Sequence, residues 1–499
     1  MPDDAALDTM ATEPTGSAVR DLRARIAQPN LGDDLADLRL QLGKALMAQA
    51  RFGEAARELE ALAADSGLAP ARRAAAFGVL AGALMLTDRT ADGEAVAKRA
   101  LASRAASAET RVMARSAIRG LRFFEGRFDE AVRLARANVR DAADAGPLAR
   151  GEARLDMGGM LFHADRFEEA EPWFVLDADA TASQRQDAVT IRATMNLVRG
   201  RWQDVLDAVP VAGGGADADW SDLSHAFLPA LRAHALIHLD RAEQARRELG
   251  RPIGRGAPPV AFVDWALLAE LDGDLTAVGA LVERAVALHA ERGFRPQLRV
   301  WGLDLVRLAL AAGDPSTARR MADLLEELTP MSRVASVRAA ALAARGMVER
   351  DSALLDEAHG LFAKGPRLVA TALTAEELGR VHRERGNRQA AVSALRRALT
   401  VWFSLGAMSD VRRTARRLSE LGVRTRAGTR RRGGTGWESL TPTEATVAVL
   451  VGEGMTNAEI ATRLVVSRRT VETHVAHVFA KLDVRTRAGV ARIAAQRRA

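Results

Sequence analysis

Hydrophobic residues recur along the first four-fifths of the chain in units that each predict two helices. A unit consists of an Ala-rich helical stretch, a short turn containing Gly, Asp or Arg, and a second helix that opens as hydrophobic-x-x-Ala. The clearest copies carry their marker alanine at Ala55, Ala131, Ala170, Ala245, Ala318 and Ala391. The separations between these alanines are one or two units of roughly 37 residues, which predicts about ten helix hairpins.

This unit resembles the tetratricopeptide repeat, a helix pair that recurs at roughly 34 residues. In the last copy, Leu378, Gly379, Ala391, Leu395 and Ala398 stand at that repeat's small and apolar positions. Matches in two other copies are Leu42, Gly43, Leu46, Ala55 and Leu59, and Gly158, Leu161, Ala170 and Phe174. Small residues let paired helices approach closely, and stacking buries the faces that one pair leaves open.

The units run longer than 34 residues and mostly lack the repeat's aromatic positions, so we describe them as tetratricopeptide-like. We expect an all-α protein with an α-solenoid over residues 31–421, preceded by a polar segment, 1–30. A non-repeating helical bundle is the alternative.

Residues 437–499 have a different pattern, which predicts four short helices. The predicted helix starts are Thr441-Pro442 with Glu444, then Thr456 or Asn457, then Ser467, and finally about Thr486. The tight turn between the second and third helices predicts a helix-turn-helix domain.

The third predicted helix, 467–482, has a register that separates a buried face from an exposed one. Val471, Val475, Val478 and Leu482 follow 4, 3, 4 spacing and should face the core. The outward positions are Arg468, Arg469, Glu472, Thr473, Ala476 and His477. A helix of this kind fits the major groove of double-stranded DNA, with its positive N-terminus toward phosphates.

Three of these outward residues are candidates for contacts with base edges. Glu472 can accept a hydrogen bond from cytosine N4, and Thr473 and Ala476 offer methyl groups to thymine. For His474 and His477 a surface role and a DNA contact both remain open.

The C-terminal segment resembles the DNA-binding domain of the LuxR family of transcriptional regulators. The matching residues are Leu440, Thr441, Pro442 and Glu444; Asn457, Glu459, Ile460, Ala461 and Leu464; Ser467, Thr470, Val471 and His474; and Lys481, Leu482, Val484 and Arg487. Thr443 and Ala448 depart from the family, which usually has a basic and a larger apolar residue there.

This resemblance implies sequence-specific binding to promoter DNA, as a homodimer joined through the fourth helix. It assigns base reading to Glu472, Thr473 and Ala476. It assigns phosphate contacts to Thr456, Arg468, Arg469, Thr470, Lys481 and Arg487. We therefore expect a bacterial transcriptional regulator.

The charge distribution supports a polyanionic partner at this end of the chain. Residues 422–499 contain 14 Arg or Lys against 6 Asp or Glu, whereas the whole chain has a net charge of +7. The remainder is therefore close to neutral. A genomic bias explains why Arg outnumbers Lys but not this asymmetry. We place a basic, Gly-rich linker at 422–436.

Several other classes of function lack support in the sequence. With no Cys and 9 His, disulfides and thiolate metal sites are excluded, and we expect neither a metal nor a cofactor. We find no phosphate-binding P-loop and no catalytic motif, so we do not expect an enzyme. The polar N-terminus is no signal peptide, and the longest apolar stretch, 74–86, is too short to span a membrane. We expect a cytoplasmic protein.

The input to such a regulator should enter through the helical repeats. Concave solenoid surfaces bind proteins and peptides, and a small-molecule signal is also possible. Trp173, Trp202, Trp265 and Trp301 either line such a groove or belong to the helical core. The alternative function is an interaction scaffold whose C-terminal domain serves dimerisation rather than promoter recognition.

Overall fold

All the regular structure that is described is helical. The computed structural model describes residues 15–28, 34–49, 51–87, 89–210, 223–250, 259–292, 298–423, 436–437, 440, 442–464 and 467–496. The first half contains α1 (Thr15–Ile26), α2 (Asp34–Ala48), α3 (Phe52–Ala64), α4 (Pro70–Met85), α5 (Thr90–Ala102), α6 (Ala108–Phe124), α7 (Phe128–Ala142), α8 (Pro147–His163), α9 (Phe167–Ala170), a 3₁₀ turn (Glu171–Phe174), α10 (Ala182–Arg199), α11 (Trp202–Ala208), α12 (Leu223–His238) and α13 (Ala242–Leu249).

The second half continues with α14 (Pro259–Asp272), α15 (Leu275–Arg292), α16 (Leu298–Ala311), α17 (Pro315–Glu326), α18 (Ala335–Glu349), α19 (Ser352–Phe362), α20 (Leu368–Glu384), α21 (Arg388–Ser404) and α22 (Met408–Glu420). The C-terminal helices are α23 (Pro442–Gly452), α24 (Asn457–Leu464), α25 (Arg468–Leu482) and α26 (Arg487–Gln496).

The helices from α2 to α21 pair into ten consecutive hairpins within the described residues. Each helix packs on its hairpin partner, and neighbouring hairpins pack on each other along the chain. The helix α22 packs on the last hairpin. The fold is therefore a tetratricopeptide-like α-solenoid followed by a small helical domain, as the periodicity predicts.

Small residues bring the paired helices together at the predicted positions. All six marker alanines are completely buried. At Gly43, a Cβ atom would lie 2.6 Å from Leu59 Cδ2 on the partner helix, and at Gly379 it would lie 2.5 Å from Leu395 Cγ. These distances leave no room for a side chain, so the glycines are required by packing.

The N-terminal segment that the sequence assigns to a polar region contains helix α1. Val19 and Leu22 are buried against the core of the first hairpin, with Ile26 partly buried beside them. Their 3, 4 spacing along an otherwise polar stretch forms one apolar stripe, which is enough to attach α1 to the solenoid.

The solenoid winds so that helices distant in the chain meet in its interior. Nδ1 of His238 in α12 lies 2.5 Å from a carboxylate oxygen of Asp410 in α22, and both side chains are buried. The indole of Trp202 stacks on the His238 ring with centroids 4.3 Å apart. Trp202 and Trp301 are each only 2 % exposed. These tryptophans therefore belong to the core, and they do not line an open groove.

The C-terminal domain has its own small core. The helix α23 packs on α25 and α26, and α24 packs on α25. Val447 and Ala448 of α23 are fully buried, so the small residue that departs from the family pattern lies in the core.

Among the residues that the structure describes, no helix combines the length and apolar character needed to cross a lipid bilayer.

Candidate DNA interface

The helix α25 presents the two faces that its sequence predicts. Val471, Val475, Val478 and Leu482 are all buried. The six outward positions are all exposed, namely Arg468, Arg469, Glu472, Thr473, Ala476 and His477. The turn residues 465 and 466 lie outside the described part of the chain.

The N-terminus of α25 is closed by Ser467. Its hydroxyl oxygen accepts a hydrogen bond from the Thr470 backbone N–H at 3.1 Å and lies 2.8 Å from the Thr470 hydroxyl. Thr470 is half-buried, so it contributes to the cap as well as to the surface. The positive end of the helix dipole, with Arg468 and Arg469 exposed beside it, favours an anion at this position.

The three predicted base-reading residues form one contiguous patch on α25. The Glu472 carboxylate pairs with Arg468 Nε at 3.1 Å, and both side chains are largely exposed. The Thr473 hydroxyl donates to the Arg469 carbonyl at 3.1 Å. Ala476 is exposed. An exposed ion pair is worth only about 0–1 kcal/mol, so Glu472 can exchange Arg468 for another donor at little cost.

Arg469 has a partner in the solenoid. Its Nε lies 3.4 Å from a carboxylate oxygen of Asp207 in α11, with the two side chains 67 % and 42 % exposed. The sequence offers no signal for this contact, because the two residues are far apart in the chain and belong to different domains.

Thr456 begins α24 through reciprocal hydrogen bonds with Glu459. The Glu459 carboxylate accepts from the Thr456 N–H at 2.7 Å and from its hydroxyl at 2.9 Å. The Thr456 hydroxyl oxygen accepts from the Glu459 N–H at 3.3 Å. The bonds from the Thr456 N–H and hydroxyl hold the pKa of Glu459 below its usual value. Thr456 is thus exposed, but its N–H and hydroxyl groups are engaged in capping α24.

Lys481 and Arg487 have protein partners that periodicity does not reveal. Lys481 Nζ lies 2.5 Å from Glu444, whose side chain is 5 % exposed. The Arg487 guanidinium donates to Asn457 Oδ1 at 2.7 Å and to the Met455 carbonyl. Both cations therefore join helices of the domain, and their predicted phosphate contacts remain predictions.

The two histidines of α25 differ in their exposure and in their contact with Glu444, the partner of Lys481. Nδ1 of His477 lies 3.6 Å from Glu444, and the His477 side chain is 60 % exposed. His474 is half-buried, and burial lowers its pKa. The predicted cap at Thr441 and the side chain of Thr443 lie outside the described residues.

Comparison with known proteins identifies this domain. Residues 438–494 match the family model of bacterial regulatory proteins of the luxR family. The transcriptional regulatory protein LiaR of Bacillus subtilis is 46 % identical over 55 residues, which cover 11 % of this chain and 26 % of that protein.

The longer matches are with mycobacterial proteins. A protein of Mycobacterium bovis named as an HTH-type transcriptional regulator is 32 % identical over 310 residues, covering 54 % of this chain and 34 % of that protein. A Mycobacterium tuberculosis protein of the same description gives the same identity and coverage. The match thus spans about a third of the length of these relatives.

Among solved structures, the APC/C hetero-tetramer Cut9-Hcn1 superposes with a TM-score of 0.41 at 11 % identity, covering 97 % of this chain and 87 % of that chain. The P58(IPK) TPR domain gives a TM-score of 0.19 at 14 % identity, covering 77 % of this chain and 98 % of that chain. These scores are too low to bear on the fold. The four helices of the C-terminal domain, the exposed face of α25 and the family match together identify residues 438–494 as a helix-turn-helix domain of the luxR family, carried on tetratricopeptide-like repeats.

Proposed function

We propose that this protein is a cytoplasmic transcriptional regulator that binds promoter DNA in a sequence-specific manner. The observation that carries the proposal is the exposed face of α25, where a cluster of side chains able to contact bases follows a capped, arginine-rich helix N-terminus. The luxR-family match of the same residues supports it.

In the proposed complex, α25 enters the major groove. Glu472, Thr473 and Ala476 contact base edges, and Arg468, Arg469 and Thr470 contact phosphates near the helix N-terminus. Lys481 and Arg487 contact phosphates while keeping their partners within the domain. Thr456 contacts a phosphate by turning its hydroxyl from the Glu459 carboxylate to the phosphate oxygen. Lysine and arginine carry several donor protons, so one cation can serve a protein acceptor and a phosphate together.

Two copies bind one operator in this proposal. The helix α26 of each copy forms the dimer contact, and each α25 occupies one half-site. The binding sequence should therefore contain a two-fold repeat, with half-sites about one helical turn apart.

The repeats supply the input in this proposal. They bind a protein, a peptide or a small molecule, and this binding changes the affinity of the C-terminal domain for DNA.

The experiment that tests the proposal is selection of bound fragments from sheared genomic DNA of the source organism by the full-length protein. Salt at about 150 mM suppresses weak non-specific binding. The wild type is compared with Glu472→Ala/Thr473→Ala. Glu283→Ala serves as the control, because it removes a carboxylate that is 65 % exposed in the solenoid.

We expect the wild type and Glu283→Ala to enrich the same repeated motif and the double variant to lose it. Equal enrichment of all fragments by the wild type would favour the scaffold alternative, in which the C-terminal domain only pairs subunits.

A further inference from the structure

A cleft of about 370 Å³ opens on the solenoid where the turn before α18 meets the turn between α19 and α20. Its volume lies within the range of roughly 300–1,000 Å³ that is typical of small-molecule sites. The side chains that matter for its chemistry are Asp129, Asp165, Arg333, Ser336, Lys364 and Arg367. The α25 face contributes nothing to this cleft.

Arg367 and Asp165 form the floor of the cleft. A second buried guanidinium group, that of Arg299, shares the Asp165 carboxylate without lining the cleft itself. Asp165 accepts from Arg367 Nε at 2.7 Å and from Arg299 Nη2 at 3.1 Å. Arg367 is 2 % exposed and Arg299 is 7 % exposed. Since one carboxylate balances only one cation, the floor retains positive charge.

The two arginines also have buried N–H groups that lack an acceptor in the described part of the chain. Arg367 Nη2 and Arg299 Nε are buried and have no hydrogen-bond partner among the described residues. Arg367 lies between the cleft and a small inner cavity of about 20 Å³, which Arg299 also lines. Burial and the neighbouring Arg367 lower the pKa of Arg299 to about 9. Buried cationic donors of this kind favour a nearby negative charge.

Two helix N-termini add to the same field. The helix α18 begins at Ala335 and α20 begins directly after Arg367, and residues at both starts line the cleft. The first N–H groups of a helix have no partner within it, and the helix dipole places partial positive charge there.

The rim of the cleft carries two further cations. Arg333 and Lys364 are exposed, and neither forms an ion pair with another described residue. Asp129, also exposed, and Asp165 are the lining carboxylates, so the three lining cations, Arg333, Lys364 and Arg367, outnumber them.

We propose that this cleft binds a small organic anion, with its carboxylate or phosphate group between Arg333, Lys364 and the N-terminus of α18. Arg367 and Asp165 form the floor beneath that group, and Arg299, which is paired with Asp165, adds its positive charge. The remaining volume accommodates the body of the ligand. This site is separate from the DNA interface and stands whether or not α25 reads DNA.

The test is isothermal titration calorimetry of the full-length protein with two probes, inorganic phosphate and citrate, at constant ionic strength with sodium chloride as the balancing salt. The key variant is Arg333→Ala/Lys364→Ala, which removes two exposed cations and leaves the buried floor intact. The matched control is Arg319→Ala/Arg396→Ala, which removes two exposed cations from elsewhere on the solenoid. Arg468→Ala/Arg469→Ala removes the phosphate-attracting end of α25.

We expect at least one probe to bind the wild type. The cleft variant should weaken that binding by at least about tenfold, a change of about 1.4 kcal/mol. The Arg319→Ala/Arg396→Ala control should bind like the wild type, and the Arg468→Ala/Arg469→Ala variant should retain the binding that the cleft variant loses. The probe that binds more tightly identifies the acid group. Absence of binding by both probes, unchanged binding by the cleft variant, or an equal loss in the control would overturn the proposal.

Discussion

At the residue scale, Lys481 connects two helices through a carboxylate that has little access to water. Its partner Glu444 is 4 % exposed, whereas the Lys481 side chain is 34 % exposed. Removing the lysine would leave a buried carboxylate with less compensation, which costs more than the pair itself contributes.

We predict that Lys481→Met lowers the free energy of unfolding of the C-terminal domain by about 1–2 kcal/mol, because the pair is only partly shielded from solvent. Hydrogen–deuterium exchange of α25 peptides in the full-length protein measures this change. Lys481→Met/Glu444→Gln should recover most of the loss. If Lys481→Met leaves exchange unchanged and only weakens DNA binding, the lysine is a phosphate contact without a structural role.

Which residues of α25 face outward is predictable from sequence, but their partners are not. The spacing of Val471, Val475 and Val478 fixes the exposed face, because residues three and four positions apart lie on the same side of an α-helix. The contacts of Lys481 with Glu444 and of Arg487 with Asn457 join residues at least thirty positions apart. They depend on how the helices pack, and no local pattern encodes that.

At the element scale, the hairpins depend on close approach between helices at glycine positions. Gly379 in α20 is in contact with Leu395 of α21, its hairpin partner. Gly360 in α19 has no neighbour within 4 Å of the position of an added Cβ. The same substitution should therefore have opposite effects at these two sites.

We predict that Gly379→Ala destabilises the solenoid by about 1–3 kcal/mol, because the added methyl group overpacks the hairpin. Gly360→Ala should stabilise it by about 0.5–1 kcal/mol, because alanine favours the helix and the site is open. Urea denaturation followed by helical circular dichroism measures both. Equal effects of the two substitutions would argue against the predicted register of α20 and α21.

The hairpins were predictable because six clear copies of the unit recur at one or two multiples of a common length. The way the solenoid winds, and hence which distant helices meet, could not be predicted. Contacts such as Asp165 with Arg367 depend on the small rotation from one hairpin to the next, which accumulates along the solenoid. For the same reason the sequence left the position of the tryptophans open.

At the scale of the whole molecule, helix α25 and the solenoid are linked through Arg469 and Asp207. The Asp207 carboxylate lies beside an arginine that we assign to a DNA phosphate. Both side chains are substantially exposed, so the link is weak in water.

We predict that Asp207→Asn strengthens DNA binding by the full-length protein by at most about fivefold, corresponding to roughly 1 kcal/mol for an exposed pair. Fluorescence anisotropy with a labelled operator measures the change. Asp356→Asn, at an exposed carboxylate elsewhere in the solenoid, should have no effect. An increase of a hundredfold or more would mean that the solenoid restrains the domain through much more than this contact.

The measurement that most directly tests the central claim compares the affinities of the wild type, Arg469→Ala and Glu472→Ala for a selected operator and for its scrambled sequence over a series of salt concentrations. Phosphate contacts supply affinity without sequence information, whereas base contacts supply discrimination.

We predict that Arg469→Ala weakens binding to both DNAs by a similar factor and reduces the salt slope by about one. Glu472→Ala should reduce the preference for the operator by about 1–3 kcal/mol and leave the slope nearly unchanged. If both variants weaken binding to operator and scrambled DNA equally, with the same change of slope, then α25 does not read sequence through Glu472, and the account of this interface is wrong.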